Sequence, residues 1–174
     1  KIKTSYKSYS IFLGLKNYIG SFAFPDAVYV YRDFLHTLPK NEFVSGMSEC
    51  FKHCLIAHNK VFAEEFLSST TPPDISDHVL TKLIETKANL VRNDANDQKV
   101  RNFLNFGHNL AHAIESLFLK LRLVVLHGEA VWIGILYDLF LAKNSGMLGP
   151  DVFKEMKALW SLMDQRRPKA VLQQ

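Results

Sequence analysis

The sequence predicts a mainly α-helical domain, because apolar residues recur with the helical period along much of its 174 residues. The first such run follows Pro39, and one face of it carries Phe43, Met47, Cys50, Phe51, Cys54 and Leu55. One face of the second run carries Val79, Leu80, Leu83, Ile84, Ala88, Leu90 and Val91. Residues 151–163 predict one more amphipathic helix. We therefore expect a helical domain over residues 39–174, preceded by a short strand at Ala27–Tyr31, which is rich in Val and Tyr.

The composition supports a packed core and excludes several functional classes. Hydrophobic residues make up 48% of the chain and 13 residues are Phe, which argues against disorder. No apolar run reaches the length of a membrane span. The net charge of +4 comes without a basic run or interleaved aromatic residues, so we expect no nucleic-acid partner and no membrane partner. This mild positive charge does suit an anionic substrate.

Cys50 and Cys54 are the only cysteines, and they lie one helical turn apart. A disulfide between adjacent turns of one helix would strain the backbone. We therefore expect two free thiols in the core of a protein from a reducing compartment.

The stretch from residue 101 to 118 carries the densest group of chemically capable side chains. As one helix, it places Arg101, Asn105, His108, His112 and Glu115 on a single narrow stripe, at steps of four, three, four and three residues. The other positions are largely apolar, which predicts a buried helix whose polar line faces an interior cavity. Two imidazoles four residues apart can share a metal ion, or one can bind metal while the other transfers a proton. A solvated stripe with two histidines fits the same pattern.

A third histidine follows in an unusual setting. The apolar segment Leu123–Leu126 leads into His127 and Gly128, and the helical run from Trp132 to Lys143 is apolar on nearly every face. A histidine and a glycine between two buried segments form an atypical surface loop. They offer a reasonable position for a third metal ligand.

Other polar residues have two interpretations each. On the helix after Pro39, Glu49, Lys52 and His53 lie roughly opposite the apolar face, so the pattern alone favours a solvent-exposed polar face. Lys87 falls within the apolar stripe of the second helical run. A lysine there either extends its amine to solvent or meets an anion, since an unpaired buried ammonium is costly.

Several motifs in register resemble the 3-dehydroquinate synthases of the shikimate pathway. The central motifs are Arg101–His108, His112–Glu115 and Leu126–Ala130. The resemblance continues upstream through Gly14–Gly20, Thr37–Pro39 and Gly46–Lys52, and it covers roughly positions 5 to 150. Motifs that occur together in the expected order are far more specific than any one of them.

The resemblance implies roles for particular residues. Family members bind one zinc ion (or cobalt) through a glutamate and two histidines, which correspond to Glu49, His108 and His127. The family's substrate contacts correspond to Lys7, Asn17, Lys87, Arg101, Asn105 and His112. Its NAD⁺-contacting positions correspond to Lys16, Phe34, Leu35, His36 and Thr37, with Ser45 where an asparagine is common. The implied catalytic set is His112 for proton transfer, Lys87, and Asp97 in the place of a glutamate with the role of a base.

The implied reaction converts 3-deoxy-D-arabino-heptulosonate 7-phosphate to 3-dehydroquinate and phosphate. Bound NAD⁺ transiently oxidises a ring alcohol, phosphate leaves by β-elimination, the ketone is reduced again, and an aldol step closes the ring. Two alternatives stay open. One is another sugar-phosphate cyclase, such as a 2-deoxy-scyllo-inosose or valiolone synthase-like enzyme, and the other is a non-catalytic metal-binding module.

The resemblance also implies how the whole protein is organised. We expect residues 1–38 to be a strand-containing junction to an α/β nucleotide-binding domain upstream, and residues 39–174 to be the helical metal- and substrate-binding domain. The family is dimeric and cytoplasmic, which predicts a cytoplasmic homodimer of a longer chain. We expect the isolated chain to be inactive and to hold NAD⁺ poorly, because most of the nucleotide-binding surface would lie elsewhere.

Overall fold

Six α-helices dominate the computed structural model, which describes residues 6–7, 10–12, 15–19, 22–23, 25–71, 74–94 and 98–166. The helices are α1 (Lys40–Ile56), α2 (Lys60–Ser69), α3 (Asp77–Asn93), α4 (His108–Lys120), α5 (His127–Asn144) and α6 (Pro150–Arg166). The predicted mainly α fold is therefore confirmed. The helices expected after Pro39 and at residues 151–163 are present as α1 and α6.

Short strands and two 3-10 helices complete the described chain. The antiparallel strand pairs are β1 (Tyr6–Lys7) with β4 (Phe22–Ala23), β2 (Ser10–Phe12) with β3 (Leu15–Ile19), and β5 (Thr70–Thr71) with β6 (Asp74–Ile75). The 3-10 helices span Arg32–Thr37 and Val100–Asn105. The strand predicted at Ala27–Tyr31 is wrong, because this segment pairs with none of the described strands. Residues with a preference for strands form one only where a partner strand is available.

Helix α5 is the centre of the domain. It packs against α1, α4 and α6, and its buried residues are Gly128, Ala130, Val131, Trp132, Gly134, Ile135 and Leu139. The Trp132 ring stacks on Trp160 of α6 with 4.9 Å between centroids and tilts against Phe51 of α1 at 5.3 Å. Its indole N–H donates to the Asp164 carboxylate at 3.1 Å, which satisfies the one polar atom of the side chain. These contacts join three helices around one apolar core.

Local sequence signals set the starts of two helices. The Ser76 hydroxyl accepts the backbone N–H of Val79 at 3.3 Å and caps α3. At α5, the Glu129 carboxylate accepts the backbone N–H of Leu126 at 3.1 Å. This second contact fixes the first turn of α5, which begins at His127.

The continuous helix predicted over residues 101–118 is wrong. The chain instead forms the second 3-10 helix, turns at Phe106–Gly107 and starts α4 at His108. Gly107 has φ = 78°, a left-handed conformation that strains other residues. Its N–H donates to Asp138 of α5 at 2.6 Å, and a Cβ atom there would meet the Ile135 backbone nitrogen at 2.9 Å. The turn therefore requires glycine and contacts α5 directly.

Helix α4 and the segment after it are less buried than their composition predicts. Ala111 is the one fully buried residue of α4, whereas Leu117 and Leu119 are exposed. The following segment, which we expected to be buried, exposes Leu123 by 50% and Val124 by 82%. An apolar surface therefore runs along one edge of α4 and the link to α5.

The two cysteines follow the prediction of free thiols. Cys50 and Cys54 are both free. Burial raises the pKa of the Cys50 thiol to about 11, which keeps it protonated and unreactive. Among the helices of the described chain, none has both the length and the apolar content that crossing a bilayer demands.

Candidate metal centre

Three helices each contribute one polar side chain to the same point. Glu49 lies on α1, His108 is the first residue of α4, and His127 is the first residue of α5. The Glu49 Oε1 atom lies 3.2 Å from His108 Nε2 and 3.1 Å from His127 Nε2. The three potential ligand atoms all lie within 4.8 Å of one another. The structure thus brings together the three residues that the resemblance implies as metal ligands.

Close backbone contacts place the two histidines. Gly128, beside the α5 histidine, packs so tightly on α1 that a Cβ atom would overlap the Ser45 carbonyl group. The Gly128 N–H donates to the Ser45 hydroxyl at 2.9 Å. Further along α5, Gly134 contacts the carbonyl group of Gly107, beside the α4 histidine, in the same way. Because each approach requires glycine, α5 fixes the spacing of all three helices that carry the candidate ligands.

The Nδ1 atom of each histidine has its own acceptor. His108 Nδ1 lies 3.1 Å from the carbonyl oxygen of Phe106, which can only accept a hydrogen bond. His127 Nδ1 lies 3.0 Å from Glu115 Oε1. Both partners assign a proton to Nδ1, so Nε2 donates to Glu49 when the imidazole is cationic and directs a lone pair at the shared point when it is neutral. Histidines that bind metal are commonly oriented in this way.

Lys52 holds the glutamate from the other side. Its side chain is 3% exposed, and its amine donates to Glu49 Oε2 at 2.9 Å and to the Leu104 carbonyl oxygen at 2.6 Å. The ammonium occupies Oε2 and leaves Oε1 to face the histidines. Lys52 also joins α1 to the second 3-10 helix.

The electrostatics of the site favour a bound cation. Burial alone would raise the pKa of the Glu49 carboxyl, but hydrogen bonds from both histidines and the charge of Lys52 outweigh it and hold the pKa far below its ordinary value. The hydrogen bond to Glu49 raises the pKa of His127 against the effect of burial, and Glu115 adds to the rise. Neutral imidazoles of the assigned tautomer would direct two lone pairs at a carboxylate. Such a group of acceptors is stable when a proton or a metal cation lies between them.

The donor set suits zinc. Two imidazole nitrogens and one carboxylate oxygen are typical ligands of catalytic zinc sites, in which further positions stay open for water or substrate. Calcium and magnesium prefer oxygen ligands alone, so the two histidines disfavour them. The residues present therefore fit the zinc, or cobalt, that the resemblance implies.

The described substrate-binding candidates lie in different environments. Arg101 is buried in the second 3-10 helix, where its backbone N–H donates to the Asp94 carboxylate at 3.1 Å. Asn105, at the end of that helix, is exposed. His112 is exposed one turn after His108, and the two imidazole rings meet edge to face with 5.6 Å between centroids.

Lys87 is half-buried on α3, and its charge acts on side chains of α1. Burial, together with the charges of Lys52 and Lys87, lowers the pKa of His53 to about 4. Two lysines thus act on one histidine, and a cationic setting of this kind suits an anion.

The positions implied as NAD⁺ contacts fall in two places. In the first 3-10 helix, Phe34 is 74% exposed, His36 and Thr37 are exposed, and Leu35 packs against the core. Ser45 is buried on α1, and its hydroxyl accepts a backbone N–H of α5. The described contact of Ser45 is therefore structural.

Four implied site residues lie outside the described part of the chain, wholly or in their side chains. Lys7 belongs to β1, Lys16 and Asn17 belong to β3, and the side chains of these strands are outside the description. Asp97 falls in the gap at residues 95–97. Their contacts stay predictions, as does the domain boundary after residue 38.

Two interpretations of the sequence are wrong at this site. Glu49, Lys52 and His53 do not form a solvent-exposed face, since Lys52 is buried and the other two are half-buried. The first residues of α4 and α5 cover Glu49. His127 begins a helix and does not lie in a loop.

The sequence pattern also gave no role to two residues that contact the candidate ligands. Lys52 follows Glu49 by three residues, and this spacing is a signal for an ion pair on one helix face. Glu115 lies on the predicted stripe, but its contact with His127 joins two helices. No local pattern predicts a contact of that kind.

The fold and the site define a class of protein, namely a helical domain with a candidate metal centre made of one glutamate and two histidines. Comparison with known proteins places the chain within that class. The family described as 3-dehydroquinate synthase C-terminal matches residues 46–168, and the chain belongs to this family.

Similar curated proteins carry the corresponding name. The 3-dehydroquinate synthase of Bacillus mycoides (strain KBAB4) is 39% identical over 133 residues, which is 74% of this chain and 36% of the relative. Proteins of the same name from Bacillus cereus (strain AH820) and Bacillus thuringiensis (strain Al Hakam) match with the same identity and coverage. The chain therefore spans about a third of the length of these relatives. The family expected from the sequence motifs is confirmed.

Proposed function

We propose that this chain is the metal- and substrate-binding part of a 3-dehydroquinate synthase. The intact enzyme, a cytoplasmic homodimer in this proposal, would convert 3-deoxy-D-arabino-heptulosonate 7-phosphate to 3-dehydroquinate and phosphate with transient oxidation by NAD⁺. Membership of the C-terminal family and relatives of this name support the reaction. The observation that carries the proposal is the convergence of Glu49, His108 and His127 from three helices.

This convergence is difficult to explain as a purely structural ion pair. The Glu49 carboxylate already has a buried cationic partner in Lys52, at 2.9 Å. The side chains of His108 and His127 are only 13% and 28% exposed, so placing both beside the same oxygen removes them from most of their water. Residues brought together at such a cost in solvation are typical of functional sites. A cation-binding role accounts for both histidines.

Glu49, His108 and His127 would hold the zinc ion. When bound there, zinc would lower the pKa of a coordinated substrate hydroxyl and so assist its oxidation. Three protein ligands leave positions open for substrate oxygens, as a catalytic centre requires. Lys52 would keep the Glu49 carboxylate ionised and correctly aimed.

Cationic and amide side chains of the implied substrate set would bind the substrate. The substrate carries a phosphate and a carboxylate, and each needs charged hydrogen-bond donors. Arg101 and Lys87 are the proposed donors on the helical part, with Lys7 and Asn17 from the strands. Asn105, exposed at the end of the second 3-10 helix, would contact substrate hydroxyl groups.

Proton transfer and cofactor contacts involve side chains outside the ligand set. His112 is exposed on α4 one turn from His108, and imidazole is the side chain best suited to moving protons near neutral pH. Asp97 and Lys87 complete the proposed catalytic set. Lys16 and residues 34–37 would contact NAD⁺, and the exposed ring of Phe34 is available to it.

Turnover by the intact protein with zinc and NAD⁺ tests the proposal. Phosphate release and 3-dehydroquinate formation would be followed with the heptulosonate phosphate and, in parallel, with hexose phosphates and other heptose phosphates. We expect 3-dehydroquinate from the former substrate and no turnover of the latter. His127→Ala should abolish turnover and zinc binding, whereas His78→Ala, at a histidine of α3 that is 63% exposed, should leave both unchanged.

Other outcomes would identify a different function. Turnover of a hexose phosphate or of another heptose phosphate alone would identify another sugar-phosphate cyclase. Zinc binding without any turnover would identify a non-catalytic metal-binding module. A protein that binds no zinc, or whose activity survives His127→Ala, would contradict the proposed metal centre.

A further inference from the structure

We infer that Glu115 is a positioning residue for His127 and that its carboxylate strengthens zinc binding at the candidate centre. The inference rests on the metal site of the proposed function and assigns a role to a residue outside the implied ligand, substrate and cofactor sets. Glu115 touches neither substrate nor ion in this assignment. It acts through the imidazole that it orients.

Glu115 reaches His127 from the neighbouring helix. It follows His108 by about two turns of α4, so the ligand and the carboxylate share one face of that helix, and α4 packs on α5. Glu115 Oε1 lies 3.0 Å from His127 Nδ1, while His127 Nε2 lies 3.1 Å from Glu49 Oε1. The imidazole is therefore held between two carboxylates, one at each nitrogen.

The Glu115 contact determines which nitrogen of His127 carries the proton. An ionised carboxylate only accepts hydrogen bonds, so Nδ1 must be protonated to face Glu115. In the neutral ring the Nε2 atom then has a free lone pair, which is the form that coordinates a metal ion. A charged acceptor also makes the ring a stronger ligand than a neutral acceptor would. His108, whose Nδ1 faces a backbone carbonyl oxygen, lacks this charge.

The charge of Glu115 also balances that of the ion. Its side chain is 22% exposed, so water screens the charge only in part. Glu49 and Glu115 together carry two negative charges, of which the Lys52 ammonium, 2.9 Å from Glu49, offsets one, so Glu115 supplies the negative charge left for the cation. A neutral side chain at position 115 would remove one of these charges and the acceptor that selects the tautomer.

Zinc affinity of the intact protein tests the inference. Competition with a chromophoric chelator would compare the wild type with Glu115→Gln and Glu115→Asp. We expect Glu115→Gln to bind zinc roughly 10–100-fold more weakly, the usual effect of losing a group that orients a ligand. Glu115→Asp keeps the charge with a shorter reach and should recover part of the loss. Glu64→Gln, at a glutamate of α2 that is 55% exposed, is the matched control and should bind zinc as the wild type does.

The absorption spectrum of bound cobalt(II) separates positioning from a general loss of stability. Reorientation of His127 in Glu115→Gln should shift the cobalt bands, whereas a less stable but correctly built site would bind less cobalt with unchanged bands. Wild-type zinc affinity together with wild-type cobalt bands in Glu115→Gln would overturn the inference. If that variant does not fold, Glu115→Asp decides: weaker zinc binding with shifted bands supports the inference, and wild-type behaviour overturns it.

Failure of this inference differs from failure of the proposed function. His127→Ala is the reference variant. If it loses zinc while Glu115→Gln keeps wild-type affinity, only the role of Glu115 is wrong. If the wild-type protein itself binds no zinc, the metal centre is wrong, and the role of Glu115 falls with it.

Discussion

Replacement of Gly128 by alanine tests how the fold builds the candidate metal centre. In an unpacked helix this change should stabilise the protein by about 0.5–1 kcal/mol, because alanine has the higher helix propensity. In α5 the added Cβ atom would overlap the carbonyl oxygen, carbonyl carbon and Cα of Ser45, all of them backbone atoms of α1. Backbone atoms cannot rotate away as the end of a side chain can. Helices α1 and α5 must therefore separate.

The structure sets the size of the effect. A carbon atom and a carbonyl oxygen meet without repulsion at about 3.3 Å, so relief of the overlap requires a separation on the order of 1 Å. Overpacking of this kind costs roughly 1–3 kcal/mol. The buried hydrogen bond from the Gly128 N–H to the Ser45 hydroxyl, worth about 1 kcal/mol, weakens as well and offsets the gain in helix propensity. We expect Gly128→Ala to lower the free energy of unfolding by roughly 1–3 kcal/mol.

Urea denaturation, followed by the fluorescence of Trp132 and Trp160, would measure the change, since these rings stack on each other between α5 and α6. Gly46→Ala is the matched control, because a Cβ atom at this position of α1 would contact nothing within 4 Å. It should stabilise the protein by about 0.5–1 kcal/mol. Gly128→Ala should also weaken zinc binding, because the displacement of α5 moves His127 away from Glu49 on α1. A Gly128→Ala variant as stable as the wild type would refute the reasoning.

Three further outcomes are expected. Burial and the charges of Lys52 and Lys87 lower the pKa of His53 from 6.5 to about 4, so the metal-free protein should lose up to about 3 kcal/mol of stability as the pH falls through this window. In a plot of urea midpoint against pH, His53→Gln should reduce the loss of stability between pH 6.5 and about 4. A plot unchanged from that of the wild type would contradict the role of His53. Lys52→Met should lower the free energy of unfolding by roughly 3 kcal/mol and weaken zinc binding, because it removes the cation that pairs with the Glu49 carboxylate. Equal urea midpoints for Lys52→Met and the wild type would contradict this prediction. A chelator should lower the melting temperature and added zinc should restore it, because zinc at a concentration 100-fold above Kd raises the free energy of unfolding by about 2.7 kcal/mol. A melting temperature insensitive to zinc would count against the site.

Helical periodicity predicts this fold well wherever an apolar face is long and uninterrupted, as in α1, α3 and α6. It fails at Gly107, because the steps of three and four residues continue across a turn where the helix does not. The left-handed conformation of Gly107 follows from its contacts with Asp138 and Ile135 of α5. Those contacts are tertiary, so a count of apolar residues within one segment contains no sign of them.

The candidate site depends even more on tertiary structure. The pattern of α1 correctly separates Glu49 from the apolar face, but it predicts exposure because it cannot show which helix ends cover the polar face. The family resemblance selects Glu49, His108 and His127, and the structure brings them together, while their role as ligands stays a prediction. Both approaches include Lys52 and Glu115 but give them no role, because neither is an implied ligand and the contact of Glu115 with His127 joins two helices.

Helix packing and the geometry of the candidate site are coupled in this arrangement. The candidate ligands lie on three helices, and the contacts that hold these helices together at Gly128 and Gly134 also set the distances between the candidate ligands. A functional group of side chains must be held to within about 0.5 Å, and direct contact between backbones is a rigid way to do so. A sequence change can therefore disrupt the centre without altering any ligand. A relative that keeps Glu49, His108 and His127 but has a larger residue at either glycine position should have a weaker or rearranged site.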